Sequence, residues 1–279
     1  MPEVSIVIVT YDSRNDIDNC LGSIYKNCTE LSKYEIIVVD NNSKDDTVNT
    51  VKKYVRLHGN IRLIENKDNK GYTLANNQGI ATAKGKYVLL LNPDIIFIED
   101  SIEKLVKRME EVKADAIAPQ LINPDWSVQP SCRTFPKYRD MFSELTLMSG
   151  TFPKSNFFSR WKMSNFGHDH EREVDQPMAA ALMIRTDLLK EVKFFDDRFN
   201  MFFNDVDLCK KIKDKGYKIF FTTVTKMIHI KGTSIYKDRL RMIKVWNEDC
   251  LKYFKKYYNN IILYNLLKAG LSLSVLVRK

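Results

Sequence analysis

Apolar runs and helical spacings alternate along the first hundred residues. Residues 4–9 (VSIVIV), 35–40 (EIIVVD), 61–66 (IRLIEN) and 87–91 (YVLLL) are rich in β-branched and large apolar side chains. Such runs are typical of strands that are covered on both faces. Between them, apolar residues recur at helical spacing after polar starts at Ser13 and Ser43, and again over residues 73–83. This pattern predicts an α/β fold with a doubly wound, mostly parallel sheet and flanking helices.

Polar side chains gather where each predicted strand ends. The four clusters are Thr10-Tyr11-Asp12, Asp40-Asn41-Asn42-Ser43, Asn69-Lys70-Gly71-Tyr72 and Asn92-Pro93-Asp94. Ligands of open α/β sheets bind at the carboxyl edge, so we expect these clusters to lie together. Any one cluster is equally compatible with helix capping. Their coincidence favours a nucleotide-diphosphate site, in which Asp40 accepts from base or ribose, Lys70 contacts phosphate and Asp94 holds a cation.

The stretch LLLNPDIIF, residues 89–97, places one carboxylate between two apolar runs. Proline fixes φ and has no N–H, so the strand should end at Asn92, with Asp94 just beyond it. Asp94 is therefore either a turn residue that caps the next element or a ligand at the sheet edge. The chain contains no G-x-x-x-x-G-K-[ST] motif, and no G-x-G-x-x-G follows the first strand. These absences exclude a P-loop and argue against a dinucleotide-dependent dehydrogenase.

Composition narrows the functional class. The 279 residues carry a net charge of +9, which indicates an anionic partner. The basic residues are scattered along the sequence without a nucleic-acid-binding module, so we predict no nucleic-acid partner. Five well-separated cysteines without a C-x-x-C motif fit a reducing compartment. No signal peptide precedes the first strand, and we therefore expect a cytoplasmic protein.

Five stretches in chain order resemble family 2 glycosyltransferases of the GT-A fold, in particular the bacterial rhamnosyltransferase-like branch. They are VSIVIVTYD, VVDNNSKDDT, NKGYTLANNQGI, LLLNPD and FFNDVDLCKKI, and the resemblance extends over about residues 3–235. It implies a GT-A domain over residues 1–237, with a nucleotide-sugar-binding half (1–98) and an acceptor and catalytic-base half (99–237). Residues 238–279 would form a C-terminal helical segment.

The resemblance also implies site residues. Contacts with the nucleotide sugar are implied for Thr10, Tyr11, Asp12, Asp40, Asn42, Lys70, Gly71, Asn76, Asn92, Pro93, Asp94 and Arg133. The Asp-x-Asp metal motif of the family is replaced by Asn92-Pro93-Asp94, whose last residue is expected to bind Mg²⁺ or Mn²⁺. A lone histidine is more often structural, but the resemblance implies that His229 is a second metal ligand.

The catalytic base is implied by the segment Asn204-Asp205-Val206-Asp207. The family pattern there is Glu-Asp-x-Asp, and its second residue, the base of inverting members, corresponds to Asp205. Asp207 would lie on another side of the helix and support it, as would Asn204. Two N-terminal acids that merely favour the helix dipole are the alternative. Asn204 replaces a glutamate, and the loss of that neighbouring charge is expected to lower the pKa of the base.

The predicted function is inverting, metal-dependent sugar transfer in cell-surface polysaccharide synthesis. The favoured donor is dTDP-rhamnose, with a saccharide or lipid-linked saccharide as acceptor. Ala179 stands at a position where the family often has glycine, which leaves a UDP-hexose or UDP-galactofuranose donor open. A catalytically inactive scaffold is the alternative of another class, although it would be expected to lose Asp94 or Asp205. A nucleotidyltransferase would need a Gly-rich basic loop after the first strand.

The C-terminal stretch, residues 261–277, is apolar but interrupted by Asn265, Lys268 and two serines. At this length and with a charge inside, it is marginal as a transmembrane span. Two interpretations remain open. The stretch is either an interfacial helix with basic flanks on the inner face of the cell membrane, or a helix packed on the catalytic domain or on a partner subunit of a homo-oligomer.

Overall fold

Four parallel strands form the first half of the protein, for which a computed structural model describes residues 1–230 and 239–277. Thr10 lies opposite Asp40, and Asp40 lies opposite Glu65, so the strands end at a common edge. The predicted parallel block is confirmed. The strands are β1 (Val4–Thr10), β2 (Tyr34–Asp40), β3 (Ile61–Glu65) and β4 (Tyr87–Leu91), and between them lie α1 (Arg14–Asn27), a short 3₁₀ helix (Leu31–Lys33), α2 (Thr47–Leu57) and α3 (Tyr72–Thr82).

One predicted helix start is wrong. We expected a helix from Ser43, but α2 begins at Thr47. The backbone N–H of Ser43 donates to the Asp40 carboxylate at 2.9 Å, and that of Lys44 donates to Asp12 at 2.6 Å. The first residues after β2 therefore form a turn that is tied to two carboxylates at the sheet edge.

The second half adds antiparallel pairings to the same sheet. Its elements are β5 (Ile95–Phe97), α4 (Ser101–Glu111), β6 (Ala116–Ile122), β7 (Cys132–Arg133), α5 (Tyr138–Leu145), α6 (Met148–Thr151), β8 (Arg172–Glu173), β9 (Gln176–Pro177), β10 (Ala181–Arg185), α7 (Thr186–Glu191), α8 (Asn204–Asp214) and β11 (Ile219–His229). The strand order of the sheet is β3-β2-β1-β4-β10-β6-β11-β5, with β8 paired to β11. Among the described residues of this sheet, four strand pairs are parallel and four are antiparallel, and β7 and β9 form a separate antiparallel pair. The doubly wound parallel pattern thus holds for the first half, and the second half is mixed.

Both faces of the sheet are covered by apolar layers. Ile6 and Ile8 of β1 belong to the layer beneath α1 and α4, whereas Val7 and Val9 belong to the layer beneath α3, α7 and α8. This alternation explains why the predicted strands are apolar throughout. Because the faces are filled, polar groups concentrate at the strand ends.

The C-terminal helices pack on the catalytic half. Helices α9 (Arg239–Tyr257) and α10 (Ile261–Val277) enclose a third apolar cluster together with α5 and the start of α8. Tyr253 and Leu267 are fully buried in it. Of the two interpretations of the tail, packing on the domain is observed. The domain boundary predicted at residue 237 lies outside the described residues. None of the helices in the described ranges has the length and apolar character needed to cross a bilayer.

Gly79 tests the close contact of α3 with the sheet. A Cβ at this position would lie 2.5 Å from Val7 Cγ1 and 3.3 Å from Val39 Cγ2. We expect Gly79→Ala to lower the free energy of unfolding, because overpacking costs about 1–3 kcal/mol and exceeds the gain in helix propensity of about 1 kcal/mol. The urea midpoint followed by circular dichroism measures this change.

Gly150→Ala is the matched control. Gly150 lies in α6, and a Cβ there would meet no heavy atom within 4 Å. Its midpoint should stay the same or rise. An unchanged midpoint for Gly79→Ala would show that α3 can move away from β1 without cost.

Candidate active site

One buried carboxylate ties the ends of β1 and β2 together. Asp40 Oδ1 accepts from the hydroxyls of Thr10 (2.9 Å) and Ser43 (2.5 Å), and Oδ2 accepts from the backbone N–H of Ser43 (2.9 Å). Asp40 is 1% exposed and Thr10 is fully buried. Both therefore lie beneath the surface of the sheet edge and hold the turn that follows β2. Direct contact of either side chain with a donor stays a prediction.

The surface above Asp40 is formed by Tyr11, Asp12 and Asn42. Asp12 and Asn42 adopt positive φ angles of 48° and 68°, which Asp and Asn tolerate better than most residues. The N–H of Asp12 donates to Ser43 Oγ at 2.9 Å, and Asn42 accepts from the Lys44 ammonium at 2.8 Å. Tyr11 is 45% exposed. An aromatic ring and a carboxylate are thus presented together at the carboxyl edge.

Asn41 organises the Asn-Lys-Gly loop. Its Oδ1 accepts from the N–H of Lys70 at 3.1 Å, and its Nδ2 donates to Asn69 Oδ1 at 3.0 Å. Gly71 has a φ of +83°, which favours glycine, and immediately precedes α3. The exposed Lys70 side chain therefore lies beside a helix N-terminus, an arrangement suited to phosphate. Asn76 is 2% exposed, so its predicted contact with the donor has no support in this geometry.

Asp94 and His229 come together because β5 pairs with β11. His229 lies opposite Ile95, and the N–H of Ile230 donates to the Asp94 carbonyl oxygen at 2.9 Å. His229 Nε2 is consequently 3.4 Å from Asp94 Oδ1, and the two side chains are only 5% and 13% exposed. Asp94 Oδ1 has no hydrogen-bond partner within the described ranges. A capping aspartate would be hydrogen-bonded, so the geometry favours the ligand interpretation.

Gln129 determines which ring nitrogen of His229 carries the proton. Its Nε2 donates to Asn123 Oδ1 at 2.8 Å, which leaves its Oε1 2.6 Å from His229 Nδ1. Because Oε1 can only accept, Nδ1 carries a proton, and Nε2 is the ring nitrogen that faces Asp94. A carboxylate oxygen and an imidazole nitrogen that face each other at this distance are both suitable ligands for a divalent cation. No group of three His, Cys, Asp or Glu suited to a metal occurs in the part of the chain that the structure describes.

Asp205 is held at the first turn of α8. Its Oδ1 accepts from the N–H of Val206 at 2.8 Å, and its Oδ2 accepts from the Gln176 amide at 3.0 Å. Burial raises the pKa of Asp205, and hydrogen bonds to its carboxylate offset part of that rise. The charge lost at Asn204 was expected to lower this pKa; burial outweighs that effect, and the net direction is upward. A carboxylate with a raised pKa is a stronger base.

Arg133 brings a half-buried guanidinium to the side of Asp205. Its Nη1 donates to the carbonyl oxygens of Cys132 at 2.8 Å and Pro130 at 3.2 Å. It forms no ion pair with any other described residue. Burial lowers the pKa of Arg133, although Asp205 and other acidic groups nearby oppose this shift. A buried cation of this kind gains a partner when an anionic ligand binds.

Tyr72 connects the two acidic parts of the site. Its hydroxyl donates to Asn92 Oδ1 at 3.0 Å, just before Pro93 and Asp94. Burial raises the pKa of Tyr72, and the charges of Asp205 and Asp94 both add to the rise. The next residue, Thr73, accepts from Asn204 Nδ2 at 3.2 Å, directly before Asp205. The N-terminus of α3 therefore lies between the Asp94–His229 pair and Asp205.

Asp207 joins α8 to the C-terminal helices. It is fully buried, accepts from the Tyr257 hydroxyl at 2.7 Å, and forms ion pairs with Lys256 and, at 3.5 Å, with Lys211. These contacts engage Asp207 with side chains of α8 and α9. The supporting role of Asp207 stays a prediction.

Asp249 of α9 fixes the loop that precedes α8. Its carboxylate accepts the backbone N–H groups of residues 200–202 at 3.0–3.2 Å. The Asn200 carbonyl oxygen accepts from Thr73 Oγ1 at 3.4 Å, and Asn204 Nδ2 donates to that same hydroxyl at 3.2 Å. The loop, the start of α3 and the start of α8 are thus joined next to Asp205, which gives Asn204 a positioning role.

Four residues of this site were not assigned a role from the sequence. Tyr72 belongs to the predicted cluster Asn69-Lys70-Gly71-Tyr72, and that position was its signal. The others act across long separations or in very short elements, for which a single sequence has no pattern. They are Gln129, 100 positions before its histidine, Gln176 in a two-residue strand, and Asp249 in the C-terminal segment.

The family is shown by a match over more than half of the chain. Residues 5–164 match the family model described as "Glycosyl transferase family 2". The chain belongs to glycosyl transferase family 2. This glycosyltransferase is 26% identical over 246 residues to N-acetylglucosaminyl-diphospho-decaprenol L-rhamnosyltransferase of Mycobacterium tuberculosis, which covers 84% of the chain and 78% of that protein. It is 24% identical over 236 residues to the low-salt glycan biosynthesis hexosyltransferase Agl10 of Haloferax volcanii (82% and 67%).

Solved structures show the fold of this glycosyltransferase. The mannosyltransferase PcManGT from Pyrobaculum calidifontis, in complex with GDP-Man and Mn²⁺, superposes with a TM-score of 0.63 at 17% identity, covering 96% of this chain and 68% of that one. TarS of S. aureus in complex with UDP-GlcNAc gives 0.58 at 18% identity, with coverages of 96% and 71%. The predicted GT-A fold is confirmed.

Gln176 tests the electrostatics of Asp205. Gln176→Met removes the amide donor to Oδ2 at similar volume, so the charged carboxylate loses a hydrogen bond and its pKa rises further. A base must be ionised, so activity is lost as pH falls through this pKa. We expect the acid limb of the kcat/KM profile to move up by about one pH unit. Gln120→Met, whose amide bonds the His168 carbonyl at 2.5 Å, is the control. If the acid limb of the kcat/KM profile lies at the same pH in Gln176→Met and Gln120→Met, the assignment of that limb to Asp205 is contradicted.

Gln129 tests the proposed tautomer of His229. In Gln129→Leu, Nδ1 loses its acceptor, and Mn²⁺ affinity in the presence of a nucleoside diphosphate should fall by about 10–100-fold. Gln129→Glu retains an acceptor and should keep an affinity close to that of the parent. Electron paramagnetic resonance of free Mn²⁺ measures this without turnover. Equal affinities for the leucine and glutamate variants would show that the orientation of His229 does not depend on this residue.

Proposed function

We propose that the chain transfers a sugar from a nucleotide-sugar donor to a saccharide acceptor with inversion at the anomeric carbon. The observation that carries this proposal is the position of the N-terminus of α3 between two acidic groups. Tyr72 contacts Asn92, close to Asp94, whose Oδ1 faces His229. Thr73 contacts Asn204, next to Asp205 with its raised pKa. A candidate group for binding the diphosphate and a candidate base on either side of one helix start match the two ends of a displacement reaction.

Asp205 is the proposed base. Its Oδ2 takes the proton from an acceptor hydroxyl while the acceptor oxygen attacks the anomeric carbon from the face opposite the nucleotide. A new C–O bond forms as the bond to the diphosphate breaks, and the diphosphate leaves with the bonding electron pair. Asp207 cannot share this role because it is buried and engaged by Lys256 and Tyr257.

Asp94 Oδ1 and His229 Nε2 would hold the divalent cation, Mg²⁺ or Mn²⁺. A bound cation neutralises charge on the leaving diphosphate. The Mn²⁺ in the mannosyltransferase complex supports a cation in a protein of this fold. Lys70, beside the N-terminus of α3, and Arg133, beside Asp205, add positive charge and N–H donors for the same diphosphate.

The favoured donor is dTDP-rhamnose. The mycobacterial relative is named as an L-rhamnosyltransferase acting on N-acetylglucosaminyl-diphospho-decaprenol. That name supports a rhamnose donor and a lipid-linked saccharide acceptor in cell-surface polysaccharide synthesis. The alternative is a UDP-hexose or UDP-galactofuranose, supported by the UDP-GlcNAc complex of TarS. Ala179 bears on this choice, because its backbone N–H bonds the Asp205 carboxylate and it adds a methyl group at a position where the family often has glycine.

A donor screen with a base variant tests this proposal. Asp205→Asn should lower turnover by about 10²-fold or more, because general-base catalysis contributes that much, while donor affinity is kept. Asp214→Asn is the control on the same helix, since Asp214 is exposed and pairs only with Lys210 at 2.8 Å. Nucleotide release and donor binding are measured with Mg²⁺ or Mn²⁺ for dTDP-rhamnose, UDP-glucose, UDP-galactose and UDP-GlcNAc.

Each of three outcomes would contradict a different part of the proposal. Parent-like turnover in Asp205→Asn would exclude it as the base. Preference for a UDP-sugar would keep the mechanism and overturn the rhamnose assignment. Binding of no nucleotide sugar would favour the scaffold alternative.

A further inference from the structure

The net charge of the chain is concentrated in two stretches that contact each other. Residues 137–165 and 239–277 contain twelve Lys and Arg against four Asp and Glu, a net charge of +8 out of +9. Basic residues occur throughout the sequence, but elsewhere acidic residues balance them almost completely. The scattered distribution inferred from the sequence therefore hides a strongly positive region around α5, α9 and α10.

The same two stretches expose large apolar side chains. Leu147, Phe152 and Phe157 are between 48% and 68% exposed in the first stretch. In the second, Leu240 of α9 is 41% exposed, and the more exposed apolar side chains lie on α10. Those on α10 are Ile261, Ile262, Leu266 and Leu273, each between 55% and 70% exposed.

Helix α10 has two apolar faces. Leu267 and Leu271 are 0% and 3% exposed and belong to the cluster beneath the helix. Ile262, Leu266 and Leu273 are spaced by four and seven residues, so they form one stripe on the opposite, exposed side. A helix that only packed on its own domain would have one apolar face. The second face needs another occupant.

The stripe on α10 adjoins the first stretch. Gly270, next to the stripe on the helix surface, lies so close to Leu145 that an added Cβ would be 2.8 Å from its Cδ1. The chain continues from Leu145 into Leu147 and then Phe152 and Phe157. Arg139 lies over the Phe157 ring at 5.1 Å. Apolar and basic groups are therefore interleaved on adjoining elements, which we name the basic-apolar face.

We propose that the basic-apolar face, formed by residues 137–165 and 261–273, binds the surface of an anionic lipid bilayer. Its apolar side chains enter the boundary between headgroups and acyl chains, and its Lys and Arg side chains pair with anionic headgroups. A second copy of this chain is a poorer occupant, because the face has six Lys and Arg against two Asp and Glu, and pairing two faces would bring two regions of net charge +4 together. The proposal goes beyond sugar transfer and is independent of the donor and of Asp205.

Vesicle cosedimentation tests the proposal. The full chain should bind vesicles that contain phosphatidylglycerol, bind phosphatidylcholine vesicles far less, and be released partly by high salt. The triple variant Ile262→Gln, Leu266→Gln and Leu273→Gln should partition at least about tenfold less, since each exposed side chain contributes about 1 kcal/mol or more when buried. Val55→Gln with Leu57→Gln, two exposed apolar residues of α2, is the matched control.

Further measurements make each outcome decisive. Thermal unfolding verifies that the triple variant folds, and donor turnover with a water-soluble acceptor should equal that of the parent. Equal vesicle binding by the parent and the triple variant, or no binding to anionic vesicles, would overturn the proposal. A dimer of the parent chain that is detected by light scattering and is absent in the triple variant would also overturn the proposal. If the parent chain binds anionic vesicles but shows no donor turnover, the membrane proposal stands and the proposed sugar transfer is contradicted.

Discussion

The arrangement of the site depends on the pairing of β5 with β11. It brings Asp94 Oδ1 to 3.4 Å from His229 Nε2, while Gln129 Oε1 lies 2.6 Å from the other ring nitrogen. Both side chains are largely buried, and Asp94 Oδ1 has no hydrogen-bond partner among the described residues. A buried polar atom without a partner costs about 1–3 kcal/mol. The proposed divalent cation would compensate this cost at the point where it neutralises the donor diphosphate.

The catalytic half is held together by elements outside the part of the chain that matches the family model. The matched region ends at residue 164, whereas Asp205 and His229 lie beyond it. Helix α9 supplies the contacts that fix the base: Lys256 engages Asp207 within α8, and Asp249 binds the loop before it. Helix α9 is therefore integral to the position of the proposed base. Helix α10 carries part of the basic-apolar face, so the two C-terminal helices serve different surfaces.

The base balances two opposing requirements. An aspartate at its ordinary pKa is ionised but weakly basic, and a fully desolvated one would be protonated near neutral pH. Burial raises the pKa of Asp205, while the Gln176 amide and the backbone N–H groups of Val206 and Ala179 stabilise its charged form. Asn204 adds no second negative charge that would push the pKa higher. The balance is thus set by the short strand β9 and by the first turn of α8.

Features that depend on neighbouring residues could be predicted from the sequence. The spacing of apolar residues and the β-branched composition predicted the four parallel strands. The polar clusters at the strand ends predicted the edge at which Asp12, Lys70 and Asp94 lie. The predicted start of α2 was wrong because tertiary contacts of Asp12 with Ser43 and Lys44 override the local helix signals. Gln129 could not be found, because its effect on His229 depends on an approach across 100 residues. Positioning residues of this kind follow from the packing of the fold, and only a structure locates them.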